Sequence, residues 1–171
     1  LCGFATQKIM AEVLAENNLP EGVSCLVIGD YKIGEKMSAD KRIPLISATG
    51  SIRMGKLVAQ KVAARLGKSL LELGGNNAII VTPSSDLEMT LMAALFGAVG
   101  TAGQRCTSTR RLIIHDSIYD KLKNILIKAY GQLKIGNPLD ENNHVGPIID
   151  KTAVGLYQNA IKKAIEEGGK V

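Results

Sequence analysis

The chain has 171 residues, of which 46% are hydrophobic and 22% charged, and this composition is typical of a folded α/β protein rather than a disordered tail. Its formal net charge is +5, but the basic residues are scattered among acidic ones without a basic stripe that carries aromatics, so no nucleic-acid partner is expected. No apolar run approaches the roughly 20 residues that a membrane span needs, so no membrane partner is expected either.

The cysteines and histidines indicate the redox compartment of the protein and whether it carries a metal site. The three cysteines, Cys2, Cys25 and Cys106, are odd in number and form no CxxC pair, which favours a reducing compartment such as the cytoplasm over a disulfide framework. His115 and His144 have no partner at metal-ligand spacing, so no metal site is predicted. Because the first residues lack an initiator Met and the last ones stop where a strand pattern begins, we expect a segment of a longer chain.

Apolar periodicity predicts alternating helices and strands along the chain. The first helix is predicted over 5–17, and the short apolar run Cys25–Ile28 predicts a buried strand that would enclose the Cys25 thiol. The later elements are predicted as strands at 43–49, 70–73, 77–81 and 111–115, and as helices at 52–66, 86–98, 118–133 and 151–167. Strands and helices that alternate with short connections indicate a doubly wound α/β sheet.

A domain boundary is predicted at the glycine pair Gly74 and Gly75. These two residues interrupt an otherwise continuous strand pattern, and consecutive glycines commonly mark a break between elements. The chain would therefore comprise parts of two domains.

The first motif that could carry chemistry is the step from strand to helix at Gly50 and Ser51. A helix N-terminus presents unpaired N–H groups and a positive dipole end, which suit an anion such as pyrophosphate. Gly50 permits a close approach, and Ser51 can cap the helix and donate to a phosphate. The alternative is an ordinary helix cap, because the spacing G-x-G-x-x-G of the usual dinucleotide fingerprint is absent.

Glu72 is the second candidate, because it lies between two leucines at the end of an apolar strand. Partial burial there would raise the pKa of its carboxyl and make it a usable general base near neutral pH. The alternative is an exposed Glu at the strand end that pairs with a nearby Lys or Arg.

Cys106 is the third candidate, in a loop that contains Gly100 and Gly103. A thiol just after a helix in such a loop can be held exposed, with its own N–H free to support an oxyanion, and Arg105 could favour the thiolate. A single Cys is more often a small buried hydrophobe, but the neighbours of Cys106 are glycine, polar and cationic.

Together these segments resemble the aldehyde dehydrogenase superfamily. The resemblance covers essentially the whole chain and rests on five motifs: TGSIRMG at 49–55, LELGGN at 71–76, GQRC at 103–106, GNP at 136–138 and GPIID at 146–150. The stretches LELGGNNAIIV and TAGQRCTSTRRLIIH look most like the semialdehyde branch. Members of that branch oxidise α-aminoadipic semialdehyde, or its cyclic piperideine-carboxylate form, to the acid.

The resemblance implies a reaction and a role for each matching residue. Cys106 would attack the aldehyde carbon, hydride transfer to the nicotinamide would leave a thioester, and Glu72 would activate the water that hydrolyses it. The Cys106 N–H would supply half of the oxyanion hole, and Thr107 would face the substrate pocket. The positions implied to bind the cofactor are Gly50 and Ser51 at the pyrophosphate, Gly55 in the same motif, and Leu73 near the nicotinamide ribose.

The resemblance also implies the organisation of the enzyme. Residues 1–74 would be part of the dinucleotide-binding domain and residues 75–171 part of the catalytic domain, within parts of two doubly wound open sheets. The cofactor would be NAD, with NADP left open, the substrate a small aldehyde, and the full-length form a homo-oligomer.

Two departures from the family pattern stand out. Ala48 replaces an aromatic that family members often carry before the TGS motif. The family's second oxyanion donor and its contacts to the adenosine ribose would precede Leu1, and its acidic contact to the nicotinamide ribose would follow Val171.

Two alternative functions remain open on sequence alone. One is a coenzyme-A-acylating aldehyde dehydrogenase, although such enzymes typically lack the carboxylate that Glu72 provides. The other is a truncated remnant that keeps parts of the fold but catalyses nothing.

Overall fold

The computed structural model describes residues 2–170. The chain divides into two compact units, Leu1–Glu72 and Leu73–Val171, here called unit 1 and unit 2. The division falls close to the glycine pair at 74–75. The assignment of cofactor binding to the first part and catalysis to the second stays a prediction.

Unit 1 contains a small sheet and three helices. In chain order its elements are α1 (Cys2–Glu16), a 3₁₀ turn (Glu21–Val23), α2 (Tyr31–Ala39), β1 (Leu45–Gly50), α3 (Ile52–Ala63) and β2 (Lys68–Leu73), which runs to the boundary. β1 pairs with β2. Among the described residues of this unit, two apolar side chains are buried, Leu14 of α1 at 6% exposure and Val62 of α3 at 1%.

The predicted strand at Cys25–Ile28 is wrong. This stretch belongs to no strand, Cys25 is exposed, and the side chains of Val27 and Ile28 are 63% and 59% exposed. Within residues 2–170 no neighbouring strand pairs with its backbone, and no layer covers its side chains. The expected burial of the Cys25 thiol is therefore wrong as well.

Helix α2 was not predicted. It begins after Asp30, whose carboxylate accepts a hydrogen bond of 3.0 Å from the Lys32 N–H, as expected for an N-cap. The apolar residues Ile33 and Met37 lie four positions apart on it. The cap followed by this spacing is the signal that could have identified the helix.

Unit 2 is built on one β-α-β unit. Its elements are β3 (Asn77–Val81), α4 (Leu87–Val99), a 3₁₀ turn (Gly100–Gly103), β4 (Thr109–Ile114), α5 (Asp116–Tyr130) and α6 (Lys151–Glu166). β3 and β4 pair in parallel, with α4 in the connection between them. This is the arrangement from which doubly wound sheets are built, so the predicted α/β fold class is confirmed.

The core of unit 2 lies where α4 packs against β4 and α5. Val81 of β3 is 2% exposed, Ala94 of α4 is 2% exposed, and Leu122 of α5 is fully buried. The helices begin at clear caps, since Asp86 accepts from the Glu88 N–H at 2.9 Å and Asp150 accepts from the Ala153 N–H at 2.8 Å. These caps explain why the starts of α4 and α6 were predicted well.

We expect Leu122→Ala to lower the free energy of unfolding of unit 2 by about 2–5 kcal/mol, because it opens a cavity at a fully buried site. Ile127→Ala on the same helix is the matched control, since Ile127 is 62% exposed and its removal leaves no cavity. Urea unfolding followed by circular dichroism measures both. Equal effects of the two variants would contradict the assignment of Leu122 to the core.

Candidate active site

Cys106 lies in a tight turn between α4 and β4. The turn is closed by a hydrogen bond from the Ser108 N–H to the Arg105 carbonyl at 3.1 Å and by one from the Arg105 N–H to the Ser108 hydroxyl at 3.1 Å. Ser108 is 3% exposed, whereas Cys106 and Thr107 are exposed. A buried serine thus anchors the turn, and the thiol is held at its accessible side, as predicted.

The backbone N–H of Cys106 is available for a ligand. Among the described residues, no carbonyl or side chain accepts a hydrogen bond from it. An N–H group that is fixed by a closed turn and lacks an internal acceptor can donate to an oxygen that acquires negative charge. The contribution of Cys106 to an oxyanion hole stays a prediction.

Asn77 ties the turn that carries Cys106 to the start of β3. Its Nδ2 donates to the Cys106 carbonyl at 2.7 Å and to the Ser108 carbonyl at 3.1 Å. The strand register is irregular here, since Asn77 pairs with Thr109 and the next residue of β3 pairs with Arg111. Such bulges commonly redirect a strand beside a functional site.

The hydrogen bond between Asn77 and the Cys106 carbonyl fits beside residue 75 only because Gly75 lacks a side chain. A Cβ at this position would lie 2.9 Å from Asn77 Oδ1 and 3.3 Å from the Cys106 carbonyl oxygen. Asn77 is not among the predicted site residues. Its only sequence signal is its place directly after the LELGGN motif, while its partners lie about thirty residues away in the chain.

The backbone just before Cys106 is strained. Thr101, Ala102 and Gly103 have φ angles of 55°, 53° and 69°, all in the left-handed region. For residues with a Cβ this conformation costs roughly 1–2 kcal/mol each. Strain of this kind persists only where surrounding contacts hold it, and it is concentrated at functional sites.

The Arg105 guanidinium makes its contacts with α4. Its Nη2 donates to the Phe96 carbonyl at 3.3 Å, and the guanidinium lies 4.8 Å from the centre of the Phe96 ring. The negative end of the helix dipole at the C-terminus of α4 stabilises a cation at this place. The predicted direct support of the thiolate by Arg105 is therefore not seen in these contacts, which bind the turn to the last turn of α4 instead.

Glu72 and Leu73 end strand β2. Side chains alternate along the strand, so Leu71 and Leu73 are half-buried while Glu72 is exposed. Of the two alternatives that the sequence left open for Glu72, the structure shows the exposed one, because the two leucines point to the opposite face from the carboxylate. Its role as a base stays a prediction.

The N-terminus of α3 is shaped for an anion. The Ser51 hydroxyl caps the helix by accepting from the Met54 N–H at 3.1 Å, and it retains its own proton as a donor. Among the described residues, the N–H groups of Ile52 and Arg53 have no acceptor. Free N–H groups, a hydroxyl and the positive end of the helix dipole suit a phosphate group.

Two glycines flank this cap. Gly50 leaves space beside the Met54 side chain, where a Cβ would meet the terminal methyl group. Gly55 is buried, and its N–H donates to the Ser51 carbonyl at 2.8 Å, so its backbone donor is already used within the helix. The residues present fit the pyrophosphate of a dinucleotide, with Gly55 contributing to packing rather than to donation.

Residues 2–170 show neither a metal cluster nor a membrane-spanning helix. No group of three or more His, Cys, Asp or Glu side chains in this part of the chain could hold a metal ion. No helix that the structure describes there is both long and apolar enough to cross a membrane.

Comparisons with known proteins agree with this geometry. The sequence pattern of the aldehyde dehydrogenase family matches residues 4–171. The α-aminoadipic semialdehyde dehydrogenase of Bos taurus is 50% identical over 171 residues, which cover 100% of this chain and 32% of that protein. The chain thus spans about a third of the length of the curated relatives it matches.

Solved structures show the same fold. The glyceraldehyde-3-phosphate dehydrogenase of Methanocaldococcus jannaschii complexed with NADP superposes with a TM-score of 0.93 at 34% identity, over 98% of this chain and 36% of that one. The betaine aldehyde dehydrogenase of Staphylococcus aureus in complex with NAD⁺ gives a TM-score of 0.87 at 32% identity, over 92% and 31% of the two chains. The predicted resemblance is confirmed, including its semialdehyde branch, and the chain belongs to the aldehyde dehydrogenase family.

Proposed function

We propose that this chain carries the nucleophile and part of the cofactor site of an NAD(P)⁺-dependent aldehyde dehydrogenase that forms a free carboxylic acid. The observation that carries the proposal is the exposed Cys106 thiol in an anchored turn, next to an N–H without an internal acceptor. In a member of this family, such a thiol suits covalent catalysis, because it can reach a substrate and stay fixed in orientation.

The first chemical step belongs to Cys106. Its thiolate forms a bond to the aldehyde carbon, and the carbonyl electron pair moves to the oxygen, which the Cys106 N–H stabilises as a donor. NAD⁺ or NADP⁺, when bound, supplies the hydride acceptor that the oxidation requires. Loss of hydride from the thiohemiacetal leaves the acyl group on Cys106 as a thioester.

Glu72 serves the second step in this proposal. As a carboxylate it accepts a proton from water, and the resulting hydroxide attacks the thioester carbon. The carbon–sulfur bond then breaks, the acid leaves, and Cys106 returns as a thiolate. The exposed position of Glu72 supports its access to water.

Gly50 and Ser51 hold the pyrophosphate of the cofactor in this proposal, and the free N–H groups at the start of α3 add donors. Gly55 lets the first turn of the helix pack closely, and Leu73 lies near the nicotinamide ribose. The similar betaine aldehyde dehydrogenase and glyceraldehyde-3-phosphate dehydrogenase contain NAD⁺ and NADP, respectively, which supports a nicotinamide cofactor without choosing between the two.

The proposed substrate, compartment and oligomeric state rest on the relatives and on cysteine chemistry. The name of the bovine relative supports α-aminoadipic semialdehyde as the small-molecule substrate, with Thr107 facing its pocket and lysine catabolism as the setting. Three free, exposed cysteines suit the reducing cytoplasm. A homo-oligomeric full-length form is proposed from the family resemblance.

We expect Cys106→Ala to abolish aldehyde oxidation in the intact enzyme, with a loss of at least about 10³-fold in kcat, because no covalent intermediate can form. The rate of NADH formation from NAD⁺ at saturating aldehyde, followed by absorbance, measures the loss. Cys25→Ala is the matched control and should retain activity, because Cys25 lies in unit 1 in a stretch without regular structure. Turnover near wild type in Cys106→Ala would refute the nucleophile assignment.

Glu72→Gln should form the thioester but hydrolyse it slowly, because the amide cannot accept the proton from water. We expect a stoichiometric burst of reduced cofactor followed by steady turnover lowered by about 10²–10⁴-fold, the usual contribution of a general base. Quenched-flow mass spectrometry detects the acyl adduct on Cys106. Glu16→Gln, at an exposed glutamate of α1, serves as control. Absence of any adduct would assign Glu72 to an earlier step.

Ser51→Ala should weaken NAD⁺ binding by about tenfold, because it removes one hydrogen bond to a charged group. The thermal-shift measurement compares each variant with and without NAD⁺, so that loss of the helix cap itself cancels. Ser69→Ala is the control, since the exposed Ser69 of β2 makes no side-chain hydrogen bond among the described residues. Equal NAD⁺-dependent shifts in both variants would exclude Ser51 from the cofactor site.

A further inference from the structure

Gln104 connects the nucleophile turn with a distant segment of unit 2. Its Oε1 accepts a hydrogen bond of 2.8 Å from the Ile149 N–H, and its Nε2 lies 3.5 Å from the Pro147 carbonyl oxygen. These partners lie more than forty residues further along the chain, in the GPIID motif at 146–150. One side chain thus fastens the loop that carries the nucleophile to the segment that precedes α6.

The same residue closes the strained backbone before the thiol. The Gln104 backbone N–H donates to the Thr101 carbonyl at 3.1 Å, and Nε2 donates to that carbonyl at 3.0 Å. Both donors therefore stabilise the left-handed run over residues 101–103. Because such a run is unfavourable by itself, its geometry depends on contacts of this kind.

Building on the proposed function, we propose that Gln104 is a positioning residue for the nucleophile. Gln104 fixes the backbone on the N-terminal side of Cys106, with only Arg105 between the two residues. The Asn77 side chain fixes the carbonyl group on the C-terminal side of Cys106. The Gln104 side chain acts through this backbone and needs no contact with substrate. Small displacements of a reacting atom reduce turnover strongly, so the effect should appear in kcat.

The amide of Ile149 reports directly on this tether. The Ile149 side chain is 82% exposed, and Gln104 Oε1 is the acceptor of its N–H. Its hydrogen exchange is therefore slowed by a side chain rather than by secondary structure. Exchange of this amide can be followed by NMR in the chain itself, without substrate or cofactor.

We expect Gln104→Ala to accelerate exchange of the Ile149 amide by about tenfold, the effect of losing one typical hydrogen bond. Gln104→Glu keeps an acceptor for that amide but loses the donor to the Thr101 and Pro147 carbonyls, so Ile149 should stay protected. Gln132→Ala is the matched control, because the Gln132 side chain is exposed and makes no hydrogen bond among residues 2–170.

In the intact enzyme, Gln104→Ala should lower kcat by about ten- to a hundredfold while the Kd for NAD⁺ stays unchanged. Cofactor binding should be unaffected because Gly50 and Ser51 belong to unit 1. Gln104→Glu should retain more turnover than Gln104→Ala, since it preserves the bond to Ile149. A purely structural role would instead lower the melting temperature and the NAD⁺ affinity together.

Two results would overturn the inference. Unchanged exchange of Ile149 in Gln104→Ala would show that the tether does not exist, and wild-type kcat in that variant would show that it does not position the nucleophile. The proposed function fails separately, if Cys106→Ala stays active. Inactive Cys106→Ala beside fully active Gln104→Ala would reject the positioning role alone.

Discussion

The parallel pairing of β3 with β4 determines where Cys106, the proposed nucleophile, lies. This pairing places Asn77, the first residue of β3, opposite Thr109, the first residue of β4. The turn that carries Cys106 immediately precedes β4, so the Asn77 amide is within reach of its carbonyl groups. The strand pair therefore defines the position of the turn, and the buried Ser108 hydroxyl closes it from within.

The exposed thiol and the strained loop follow from the same arrangement. α4 ends at Val99, and the chain must reverse within a few residues to enter β4 in parallel to β3. The left-handed run at 101–103 makes this reversal, and Arg105 fastens it to the last turn of α4 through Phe96. Consecutive left-handed residues direct the backbone so that Cys106 faces outward, whereas a regular helix extension would carry it along the helix.

The sequence predicts most of what depends on neighbouring residues. The starts of α3, α4 and α6 follow from Ser51, Asp86 and Asp150, because a cap and the helix it begins are adjacent in the chain. Cys25–Ile28 was mispredicted, since an apolar run becomes a strand only when another strand lies beside it. The motifs identified the family, but sequence spacing alone left Cys106, Glu72 and Ser51 each with a structural alternative.

The contacts of Asn77 and Gln104 could not be predicted because they are not local. Each side chain bonds to backbone groups that are close only after the chain has folded, and a side-chain amide gives no signal of such contacts in the sequence. The geometry around Ser51, where we propose that phosphate binds, depends on one turn of helix, whereas the geometry of the Cys106 turn depends on three segments that meet. A strained turn can be specified only by such distant contacts, because local preferences favour a different conformation. The conformation that holds Cys106 in place is therefore a property of the folded unit rather than of the GQRC motif.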